Sequence, residues 1–86
     1  MNFGKATEAL KLGSKVSREG WNGKGMFVFQ VDGGCWDFTT DVGAEELNDL
    51  DTLPFICMKT ADNKLVPWLA SQTDVLADDW TILLSE

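Results

Sequence analysis

Arg18, Trp21, Asn22 and Lys24 sit together in the run REGWNGKGMF, residues 18–27, and no other stretch is better equipped for chemistry. Arg18 is the single arginine of the chain, Trp21 is one of four tryptophans, and three glycines fall within residues 20–25. A guanidinium offers planar, paired donors to phosphate oxygens. An indole offers a face on which a base stacks, and glycine lets backbone approach a ligand or take positive φ. Together these types suit a planar base held beside a phosphate. The same run also reads as an ordinary hairpin loop, with Trp-Asn-Gly turn chemistry and a ring that caps the core. A second group lies in VPWLASQTDVLADDW, residues 66–80, where Ser71, Gln72, Thr73 and Asp74 mark the start of a short helix between Trp68 and Trp80. Exposed N–H groups at such a start attract anions. The plainer reading is that Ser71 or Thr73 caps the helix and the two indoles pack.

Most catalytic constellations are excluded by composition. The chain has no His and no Tyr, so it holds no Ser-His-Asp or Cys-His pair, no His general base and no His metal ligand. Asp78 and Asp79 are adjacent, and neighbours on a strand face opposite ways, so the pair reads as a solvated cap or turn. Residues 20–25 fit neither GxGxxG nor GxxxxGK[ST]. No carboxylate cluster has EF-hand spacing, and Cys35 and Cys57 lie in no ligand spacing. The expectation is a binding module without catalytic residue, metal or cofactor, and not an enzyme.

Net charge is −7 and unevenly spread. Residues 1–31 carry five bases against Glu8 and Glu19, whereas residues 32–58 carry seven acids and no base. A nucleic-acid backbone demands many cations, so DNA or RNA is not the expected partner. A small anionic ligand needs only a few. The acidic middle either solubilises the surface or imitates nucleic acid, and the second reading would make the chain an acidic protein-interaction inhibitor. No apolar run is long enough to span a membrane, and the N-terminus lacks the apolar core of a secretory signal. A cytoplasmic location with reduced, buried cysteines is expected.

The 86 residues allow one domain, 1–86. A chain this short buries only roughly 60–65 % of its unfolded surface, so contacts between copies are the expected source of further stability. Phe3, Ala6, Ala9 and Leu10 recur on one helix face, with Gly13 placed to end the helix. Lys15–Arg18 reads as a short strand, and Met26–Val31 as a strand with Phe27, Phe29 and Val31 on one face and Met26, Val28 and Gln30 on the other. Asp32-Gly33-Gly34 is a turn signal, after which Cys35–Thr39 returns as a strand. Residues 44–50 form a short acidic helix or a loop. Phe55–Lys59 and Lys64–Trp68 read as strands joined by the turn Thr60–Asn63, with Pro67 pointing to a sheet edge. A short helix runs through Val75 to Ala77, and Asp79–Leu84 closes the chain as a strand. The order implies an α+β domain, a small antiparallel sheet packed on an N-terminal helix with a short second helix near the C-terminus.

Three segments, MNFGKATEALKLGSKVSREGWNGKGMFVF, MKTADNKLVPW and LASQTDVLADDW, closely resemble in matching order the Thoeris anti-defence protein two family of phages and prophages. WNGKGMF, MKTAD and PWLASQTDVLADDW carry the resemblance most specifically. It implies a sponge that binds a cyclic nucleotide immune signal and holds it undegraded in the infected host. The signal associated with the family is a glycocyclic ADP-ribose made by TIR-domain proteins, and some relatives hold cyclic oligonucleotides of cGAS-like enzymes at a separate site. It also implies a homotetramer with ligand pockets at subunit interfaces. Carried onto this chain, Trp21 stacks on the adenine, Arg18 and Lys24 supply charge for the phosphates, and Asn22 bonds ribose or base. Thr73 and Asp74 contact sugar hydroxyls, and Met26, Met58 and Trp68 line apolar walls. Residues 32–55 depart from the family pattern, and Leu53-Pro54 stands where many relatives carry an Arg-Pro pair.

Overall fold

A computed structural model describes residues 1–21, 25–34 and 50–84. Helix α1 spans Phe3–Lys11. Asn2 caps it by accepting the Lys5 N–H at 2.9 Å, which satisfies one of the donors a helix start leaves unpaired. Its end is a left-handed turn at Gly13, φ 90°. There the Ser14 N–H reaches the Ala9 carbonyl and the Gly13 N–H reaches that of Leu10, each at 3.0 Å, the paired bonding that favours glycine at this position. Nine residues are too few for a helix to persist alone in water. Burial of Ala6, Ala9 and Leu10 against the sheet is what holds α1.

Five strands follow: β1 Lys15–Arg18, β2 Phe27–Val31, β3 Phe55–Lys59, β4 Leu65–Pro67 and β5 Trp80–Leu83. A 3-10 turn over Glu19–Trp21 leaves β1, and helix α2, Gln72–Val75, precedes β5. The sheet order is β4-β3-β2-β1-β5, and every neighbouring pair is antiparallel. The expected α+β class, with its N-terminal helix and short second helix, is the observed one.

Register decides which side chains share a face, because residues opposed across strands point the same way. Val16 opposes Val28 and Ile82, Val28 opposes Met58, and Met58 opposes Val66. This face lies under α1, and its core comprises Ala6, Ala9, Leu10, Val16, Val28, Met58 and Trp80. Arg18 opposes Trp80 and so belongs to the same face, at its end. Phe27, Phe29 and Val31 take the other face, as their alternation predicts, with the buried thiol of Cys57 opposite Phe29.

Several expected boundaries shift. β2 starts at Phe27, since Gly25 (φ 75°) turns the chain just before it. β4 covers Leu65–Pro67, shorter than 64–68: Lys64 bonds Thr60 within the turn, while beyond Pro67 the Trp68 N–H still reaches the Ile56 carbonyl at 2.9 Å. α2 ends at Val75 instead of Ala77, with Leu76 as its cap, and β5 covers Trp80–Leu83. The strand expected at 35–39 lies outside the described residues, as does the short helix or loop expected at 44–50 apart from Leu50.

Candidate functional site

The core of the α1-facing side ends in three indoles. Trp80 is 1 % exposed and anchors the group. Its ring centroid lies 5.4 Å from that of Trp21 and 6.0 Å from that of Trp68, while Trp21 and Trp68 are 6.2 Å apart. All three pairs meet edge to face, with interplanar angles of 77–79°, the arrangement aromatic quadrupoles favour. Trp21 and Trp68 are only half-buried, as is Met26, and all three pack against the core beside buried Met58. The chain thus brings Trp21, Met26, Met58 and Trp68 together, from the 3-10 turn, the entry to β2, strand β3 and the exit of β4.

A polar frame backs this aromatic corner. Arg18 donates through Nε to Asp79 Oδ1 and through Nη1 to Asp74 Oδ1, both at 2.8 Å. The other oxygen of Asp79 accepts the Gly20 N–H at 2.9 Å, and its carbonyl accepts the Glu19 N–H at 3.1 Å. Asp74 Oδ2 accepts from the Ser71 hydroxyl and the Ser71 N–H, and Ser71 Oγ accepts from the Asp74 N–H. This reciprocal pair is a capping box on α2. The Asp74 carbonyl accepts the Trp80 indole N–H at 2.9 Å, so a buried donor is paired. The three charged side chains keep 19 % (Arg18), 13 % (Asp74) and 29 % (Asp79) of their exposure.

The charges respond as the geometry dictates. The Arg18 guanidinium, with help from the Gly20 N–H, holds the Asp79 carboxyl below the usual carboxylate range. Burial pushes Asp74 up, but hydrogen bonds from Arg18 and Ser71 together outweigh it and leave that carboxyl lowered. The hydrogen bonds to Asp79 and then Asp74 raise Arg18 above its ordinary value.

Of the residues singled out in the sequence, Arg18, Trp21, Met26, Met58, Trp68 and Asp74 converge here, and Thr73 joins through its hydroxyl, 2.8 Å from Ser71 Oγ. Asn22 and Lys24 lie outside the described residues, as do Asp37, Asp41, Glu45, Glu46 and Asp49 of the acidic middle. At the anion-attracting helix start, the N–H groups of Ser71 and Asp74 are engaged by each other's side chains. Two residues of the frame escape a reading of the sequence. Asp79 reads as a solvated turn, yet it is the main partner of Arg18, and Trp80 reads only as packing, yet its N–H fixes α2. One signal pointed to Asp79: a lone arginine ending a strand with an inward-facing valine two residues earlier needs an acid.

Among the described residues, no three His, Cys, Asp or Glu side chains gather as a metal site, and no helix is long and apolar enough to cross a membrane.

Fold and site together define a small α+β domain whose sheet ends in an indole corner braced by an ion-paired frame. The chain belongs to the Thoeris anti-defense 2-like domain family, which it matches over residues 1–83. It is 49 % identical over 85 residues to the protein named Thoeris anti-defense 2 of Bacillus phage SP01, covering 96 % of this chain and 94 % of that protein. Membership implies a role in phage anti-defence.

Proposed function

We propose that the protein is a sponge: it binds a cyclic nucleotide immune signal, of the glycocyclic ADP-ribose type, in the host cytoplasm and holds it without cleaving it. Family membership supports the anti-defence role. The observation that carries the ligand class is the indole corner itself. Trp21 and Trp68 are half-buried beside a buried Trp80, so flat apolar surface is braced yet still reachable, as base stacking requires. Trp21 stacks the adenine, Trp68, Met26 and Met58 form the walls, and Thr73 and Asp74 meet sugar hydroxyls. Lys24 and Asn22, close to Trp21 in the sequence, supply charge and hydrogen bonds in this reading.

The working unit in this reading is a homotetramer with the corner completed at a subunit interface. Large apolar side chains on β4, just after it and at the cap of α2 support association. Leu65, Leu69 and Leu76 are 66 %, 91 % and 77 % exposed, apolar surface that a neighbouring copy would bury.

Titration calorimetry with glycocyclic ADP-ribose tests the proposal. Heat of binding, followed by recovery of the unchanged compound when the complex is heated, is the expected result. No heat across a panel of cyclic nucleotides ends the reading, and recovery of a cleaved product makes the protein an enzyme instead. Light scattering on the same sample reports the oligomer.

A further inference from the structure

We propose that Asp79 is the positioning residue of the indole corner, holding Trp21 at the angle a ligand meets; this rests on the reading of Trp21 as the base-stacking residue. Asp79 grips three consecutive residues. Its Oδ1 takes Arg18 Nε at 2.8 Å, its carbonyl takes the Glu19 N–H at 3.1 Å, and its Oδ2 takes the Gly20 N–H at 2.9 Å. The next residue is Trp21. No other described side chain bonds the backbone of the turn that carries this ring, so the place from which the indole meets Trp68 and Trp80 follows from where Asp79 stands.

The grip extends through Arg18 to the other indole. Arg18 Nη1 holds Asp74, and the Asp74 carbonyl holds Trp80 Nε1 at 2.9 Å. Asp79, Arg18 and Asp74 therefore link the turn bearing Trp21 to the strand bearing Trp80, and the two rings meet at 79°. Gly20 is part of the fit. A Cβ there would lie 3.2 Å from Asp79 Oδ2 and 3.6 Å from Arg18 Nη2, so an added methyl crowds the carboxylate that holds the turn.

Charge arithmetic separates positioning from simple electrostatics. One guanidinium between two carboxylates leaves the frame with a formal charge of −1, which repels a phosphorylated ligand. If Asp79 acted only through its charge, Asp79→Asn would tighten binding, most of all at low salt. If Asp79 positions Trp21, the same change weakens binding. Arg18 Nε and the Gly20 N–H bond different oxygens of Asp79, and an amide replaces one of these with an NH2 that cannot accept, so one of the two donors loses its partner.

The experiment uses the full chain labelled with 5-fluorotryptophan, whose four indoles give separate fluorine resonances, that of Trp21 assigned by its loss in Trp21→Phe. In Asp79→Asn without ligand, the Trp21 resonance is expected to shift or broaden. Affinity for glycocyclic ADP-ribose is expected to fall about tenfold, part of the full value of one stacking contact. A Trp21 resonance that stays in place overturns the proposal, and so does tighter binding. Should Asp79→Asn not fold, Gly20→Ala, which crowds the same carboxylate and keeps its charge, is read by the same two measurements. The ligand-free spectrum judges the positioning role by itself. Failure of the wild-type chain to bind the compound strikes the ligand reading and leaves that spectrum to decide this one.

Discussion

Truncating Trp21 to alanine separates a ring that serves a ligand from one that serves only the core. A fully buried Trp→Ala change costs about 3–5 kcal/mol. Trp21 is buried over most but not all of its surface, so somewhat less than that full cost is at stake, with two edge-to-face contacts to Trp68 and Trp80 included. The expected loss of stability is about 2–4 kcal/mol. In a domain of this size that lowers Tm by about 8–32 °C. The affinity loss is worked separately: one base stacked on an indole is worth about 1–3 kcal/mol, or a fall in affinity of about 5- to 150-fold. Urea titration gives the first quantity and calorimetry with glycocyclic ADP-ribose the second, the latter at a temperature where the melt shows the variant folded. Trp80→Ala, at a residue 1 % exposed, is the internal scale and should approach the full core cost. The reasoning is refuted if Trp21→Ala binds as tightly as the parent, or if it loses as much stability as Trp80→Ala.

The ion-paired frame predicts an acid limb in stability. Asp79 is lowered mainly by Arg18, and Asp74 is lowered on balance although burial opposes it. Carboxyls lowered in the folded state contribute stability that is complete above the ordinary carboxylate range, near pH 4, and is lost as pH falls through the depressed values. Urea midpoints should therefore drop on acidification below about pH 5, and Asp79→Asn should flatten that drop. Ser71→Ala removes the capping box of α2 and should cost about 0.5–2 kcal/mol, read in thermal melts. Gly13→Ala forces a side chain into a left-handed residue with φ 90°, at a cost of about 1–2 kcal/mol, visible as lost helical signal at an unchanged sheet signal.

Local chemistry made the elements of this fold readable. Apolar spacing in Phe3–Leu10, the alternation of MFVFQV and the FICMK run each bury a face that their own residues define. A turn residue did the same for an end: Gly13 closes α1. The site was readable where one short stretch held its parts, and so Arg18 and Trp21 stood out together. What the sequence could not display was the closure of β1 against β5, which pairs Lys15 with Leu83 and Arg18 with Trp80 across more than 60 residues. Asp79 and Trp80 act only once that pairing exists.

In the proposed function, that closure lets a chain with few cations present an indole to a ligand. The only arginine lies at the end of β1, where a guanidinium among apolar neighbours would be costly unpaired. Antiparallel pairing of β5 delivers Asp79 beside it, and the capping box of α2 delivers Asp74. The pairing is more than neutralisation, since each carboxylate has a second duty: Asp79 on the Gly20 N–H and Asp74 on Ser71. One guanidinium thereby sets the relative position of a turn and a helix that carry no regular hydrogen bonding to each other. Rigid aromatic surface supplies contact area at low entropic cost. If Trp21 is the stacking residue we propose, a frame that fixes it before a ligand arrives keeps the ordering of the ring from subtracting from the affinity.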